Sequence, residues 1–84
     1  MPRYYFDIID GEDFPDVRGS EWPDLAAARR EAVRYSAEVL KEMPDRFWNC
    51  EIWTMLVFDH NRTLLFTLKF LAQNAPSQML EKAE

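Results

Sequence analysis

A chain of 84 residues with 48% hydrophobic and 14% aromatic content describes one small globular domain, not a disordered segment, because it can bury enough apolar surface to offset the entropy of ordering. A formal net charge of −5 and a pI near 4.8 oppose generic attraction to phosphate backbones, which binding proteins meet with a positive field. The single cysteine, Cys50, excludes an internal disulfide and a thiolate metal cluster and points to a reducing compartment. No apolar stretch approaches about 20 residues and no charged-then-apolar leader is visible, so a cytoplasmic location without membrane contact is expected.

The first element is an alternating strand, Arg3-Tyr4-Tyr5-Phe6-Asp7-Ile8-Ile9, with Tyr4, Phe6 and Ile8 on the core side and Tyr5, Asp7 and Ile9 on the other. Turn residues from Asp10 to Asp16 interrupt it, and Gly19 to Trp22 is expected to return as a short edge strand. Asp24 is a good N-cap for a helix over residues 24–43, in which Leu25, Ala28, Ala32, Tyr35, Ser36, Val39, Leu40 and Met43 share one face. Pro44 stops that helix, and residues 45–49 are expected to be loop. Cys50 to Phe58 is rich in β-formers and reads as a long central strand. A tight turn at Asp59-His60-Asn61-Arg62, with Asn61 left-handed, leads to a hairpin partner over 63–70, whose inner face holds Leu64, Phe66, Leu68 and Phe70.

The fold class is therefore α+β: a small antiparallel sheet in the order β-(β)-α-β-β, with one helix packed on one face. Residues 1–70 form the single domain and 71–84 a C-terminal tail, in which Pro76 marks a place for a short helix ahead of Met79 and Leu80. One helix covers only one side of a sheet. Tyr5, Ile9, Ile52, Leu56, Phe58 and Leu65 are thus left as an apolar row on the helix-free face, which needs the tail, a second subunit or another protein.

The opening Met1-Pro2-Arg3-Tyr4-Tyr5-Phe6-Asp7, then Asp16, Gly19, Glu21 and Asp24-Leu25 ahead of an alanine- and arginine-rich helix, resembles a domain-of-unknown-function family of small bacterial proteins that begin Met-Pro-Arg-Tyr-(Tyr/Phe)-Phe. The likeness runs through Trp53, Val57, Asp59, Arg62, Leu64 and Phe70, and so covers about residues 1 to 70. The chain departs from the family at Asp7, where histidine is usual, and at Asn61, where glycine is commoner. The resemblance implies a bacterial, strand-rich domain with one helix, and supplies no catalytic or binding residue.

Candidate sites are few. Asp10, Glu12, Asp13 and Asp16 crowd one loop, but lack the alternate-position ligands and distant glutamate of a calcium loop and read as an acidic solvated turn. Arg29, Arg30 and Arg34, with Arg18 and Arg46 near them, offer an anion patch for a nucleic-acid-associated protein; against it, Glu31 and Glu38 sit at pairing distance from Arg34. Asp59-His60 lacks a nucleophile, and Cys50 lies at the other end of the same strand. An enzyme would have to use Asp7, Asp10 and His60, and ranks last. No catalytic residue, metal or cofactor is expected. The favoured reading is a noncatalytic interaction module that forms a homodimer, or engages an unidentified protein, through the helix-free face.

Overall fold

The computed structural model describes residues 1–76. The short tail helix expected ahead of Met79 and Leu80 lies outside them. Its element order is β1 (Arg3–Ile9), β2 (Asp13–Phe14), β3 (Ser20–Glu21), α1 (Leu25–Glu42), α2 (Pro44–Cys50), β4 (Ile52–Phe58) and β5 (Leu64–Leu71). The strands form one antiparallel sheet in the order β2-β1-β4-β5, with β3 also paired to β1. The fold is α+β, as the sequence implies.

Strand alternation sorts the side chains cleanly. Tyr4, Phe6 and Ile8 of β1 and Trp53, Met55 and Val57 of β4 are buried against Ala28 and Ala32 of α1 and Phe47 of α2. Asp24 caps α1 by accepting from the Ala27 amide at 2.8 Å. The two alanines let the helix axis approach the sheet, and Ser36 returns its hydroxyl to the Ala32 carbonyl at 2.6 Å. With Ala32 fully buried, Ala32→Leu should overpack this seam by about 1–3 kcal/mol, read as a lower midpoint in chemical denaturation with unchanged slope.

Several expectations are corrected. Leu25 and Met43 are 37% and 43% exposed. An 18-residue helix is about 27 Å long against about 23 Å for a seven-residue strand, so the helix ends overhang the sheet. Residues 45–49 are not loop: Pro44 both ends α1 and takes the first turn of α2, where its missing N–H costs nothing. Met43, at φ −133° and ψ 58°, is the joint between the helices, and Glu51, at φ 62°, ends the second.

Turn geometry also differs. The left-handed residue is Arg62, at φ 61°, and not Asn61. The Arg62 amide donates to the Asp59 carbonyl, and the Asp59 carboxylate accepts from the amides of Asn61 and Thr63 at 2.8 and 3.0 Å. This is a turn followed by a left-handed residue, which places the positive φ one position later than in a two-residue loop. A bulge follows, so that Leu64 faces Phe58 and Leu65 is the extra residue. Leu64 is accordingly 50% exposed and does not join the helix-side core.

The β1 edge holds the most unusual local feature. From Ile8 opposite Phe14, an unbroken register would set Tyr4 opposite Arg18, yet it faces Ser20, two residues on. The intervening loop leaves the Phe6 amide without a strand partner. The Asp16 carboxylate fills the gap, accepting from Phe6 N at 3.1 Å and from the amides of Arg18 and Gly19 at 3.2 and 2.9 Å. Gly19 allows this approach: at φ 71°, a Cβ there would lie 2.9 Å from both the Tyr4 carbonyl oxygen and the Tyr5 ring.

Candidate functional site

Neither helix covers the second face of the sheet, on which alternation sets Tyr5, Ile9, Ile52, Leu56 and Phe58; Leu65, expected with them, is instead the bulge residue and has no partner on β4. Register puts Tyr5 beside Phe58, Asp7 beside Leu56 and Ile9 beside Thr54, and Ile52 beside Leu71. Ile52 and Leu65 are exposed, whereas Tyr5, Ile9, Leu56 and Phe58 are half-buried. The row is not uniformly bare. Arg62 folds back from the turn so that its guanidinium lies 5.0 Å from the Tyr5 ring centre and 4.5 Å from that of Phe58. There it pairs with Asp7 at 2.9 and 3.2 Å, and this carboxylate, hydrogen-bonded to it, holds the guanidinium pKa above its already high ordinary value. Asp7 also accepts from the Asp16 amide at 2.9 Å, which ties the turn, β1 and the edge loop together.

These contacts explain why an arginine tolerates a left-handed backbone, a strain of order 1–3 kcal/mol that the surrounding contacts must offset. They also divide the face. Its turn end is capped by Arg62, and beyond it Leu56, Ile9, Ile52 and Leu71 share the face with Thr54, Thr67 and Lys69.

The other candidates resolve into separate structural roles. Asp10 is buried and pairs with Arg46 at 2.5 and 3.2 Å, while Glu12 reaches the same guanidinium at 3.3 Å. Asp13 lies in β2, which sequence reading missed because two residues carry no periodicity. Arg46 therefore belongs to the acidic loop and not to the helix arginines. Arg34 is held by Glu31 at 2.7 Å and Glu38 at 2.9 Å, hydrogen bonds that raise its pKa further. Arg29 lies 5.9 Å from the Phe66 ring centre, and Arg30 is exposed. Of the three proposed anion-binding side chains, one is thus neutralised by its own helix.

Asp7, Asp10 and His60 do not meet, since Asp7 is bound to Arg62, Asp10 to Arg46, and His60 is exposed on the turn. Hydrogen bonds from the Thr63 and Asn61 amides hold the Asp59 carboxyl below its usual range, which suits a turn brace and not a base orienting His60. Cys50 gives its thiol hydrogen to the Asp10 carbonyl at the opposite end of β4. A cleft of about 510 Å³ opens between the edge loop and α1, but Asp16 and Arg34 in its wall are already committed to the partners described. Among the described residues, no helix is long and apolar enough to cross a membrane.

No curated protein and no solved structure matches the chain. A family model does match, over residues 3–71, from the first residue of β1 to the last of β5. The chain belongs to the family described as Domain of unknown function (DUF6894).

Proposed function

We propose that the protein is a noncatalytic interaction module of the cytoplasm that self-associates through the helix-free face of its sheet. The observation that carries this reading is the set of apolar side chains Ile9, Leu56, Ile52 and Leu71, which lies on the side of the sheet opposite both helices. Ile52 and Leu71 are 43% and 59% exposed, and burying exposed apolar side chains of this kind against a partner is a driving force for association. The cap of Arg62 over Tyr5 and Phe58 sets one border of the contact and leaves the Arg62–Asp7 ion pair at its rim.

Light scattering tests the reading. The unmodified protein should have a mass above that of one chain at high concentration, and Leu56→Asp with Ile52→Lys should lower it. Arg30→Glu, on the opposite side of the molecule, should leave the mass unchanged. An unmodified protein that is monomeric at high concentration would refute self-association.

A further inference from the structure

We infer that the outer edge of β5 is a second, independent docking surface, and that its occupant is β5 of another copy, paired antiparallel about a two-fold axis at Leu68. β5 is eight residues long, ends the strand order, and among the described residues has β4 as its one partner. The Ala72 amide donates to the Glu51 carbonyl, which makes Glu51 and Ala72 a hydrogen-bonded pair. Alternation along an antiparallel ladder then turns the N–H and C=O groups of Thr67, Lys69 and Leu71 away from β4. The same alternation, carried across the sheet, turns the Phe6 amide toward the edge loop, where it meets Asp16.

An edge of this length, with Phe70 and Leu71 53% and 59% exposed, is a template for another strand. The bulge that blunts it lies at its start, leaving Phe66 to Leu71 regular. The sequence selects the register. A two-fold axis normal to the sheet at Leu68 sets Leu68 against Leu68, Phe66 against Phe70 and Thr67 against Lys69, so each ammonium meets a hydroxyl. Moving the axis to Lys69 would oppose two ammonium groups, and moving it to Thr67 would oppose Lys69 to Leu65. A second copy therefore satisfies the outward backbone groups of Thr67 and Lys69 and covers the exposed Phe70 ring, while both helix layers stay on the same side of a continuous sheet.

The test is amide hydrogen exchange as a function of protein concentration. Exchange at Thr67 and Lys69 should slow by about tenfold or more between dilute and concentrated protein. Thr67→Pro removes one outward N–H while sparing the β4 ladder, and should abolish that dependence. Fast exchange at every concentration overturns the inference. So does protection independent of concentration, which would mean cover from within the chain, or concentration-dependent protection that survives Thr67→Pro. If Thr67→Pro does not fold, the concentration series on the unmodified chain decides alone. The face reading fails by a different observation, a mass insensitive to Leu56→Asp with Ile52→Lys.

Discussion

Phe47→Ala should destabilise the protein by about 3–5 kcal/mol, the range for removing a buried aromatic ring. Phe47 is 6% exposed, packs edge-on against Phe70 at 5.1 Å, and closes the end of the core beneath Trp53. Because the domain is small, each kcal/mol lowers Tm by about 4–8 °C, so the change should be plain in a thermal scan. Trp48 provides the control. It is the next residue on the same helix but 58% exposed, and Trp48→Ala should cost far less. Equal losses would mean that α2 presents a different face to the sheet.

That residues 44–50 form a helix was hidden by their length. Seven residues give fewer than two turns of periodicity, and Pro44 reads equally as the end of one helix and the start of another. α1 was legible for the opposite reason, with Asp24 at its cap, Pro44 beyond its end and 18 residues of three-and-four spacing between them. The central hairpin was equally clear from its β-rich composition. Its bulge at Leu65 was not, because bulges depend on how the turn delivers the second strand and leave no periodic mark.

The surface followed the same division. Alternation alone placed Tyr5, Ile9, Ile52, Leu56 and Phe58 opposite the helix, and local spacing announced the Glu31-Arg34-Glu38 ladder. Contacts between distant segments had no such signal. Arg62 and Asp7 are 55 positions apart, and Arg46 and Asp10 are 36. Charge counting cannot tell a carboxylate solvated on a loop from one that braces a strand.

Asp16 is the sharpest case, and Asp16→Ala should cost about 2–4 kcal/mol. A hydrogen bond to a charged group contributes about 1.5–3 kcal/mol, and three backbone amides converge here, although those of Arg18 and Gly19 can turn to water once the loop relaxes. The Phe6 amide has less freedom. It is fixed by the β1 ladder on a buried residue, with no strand opposite it, so its lost acceptor is not readily replaced. Asp16→Asn should fall short of full rescue, since an amide keeps one acceptor oxygen and turns an NH2 toward one of the donors that two carboxylate oxygens now serve. The order of stability should therefore be Asp16, then Asn, then Ala, with hydrogen exchange at Phe6 accelerating in that same order. Unchanged exchange at Phe6 in the alanine variant would show that the loop does not hold the strand edge, whatever the loss in Tm.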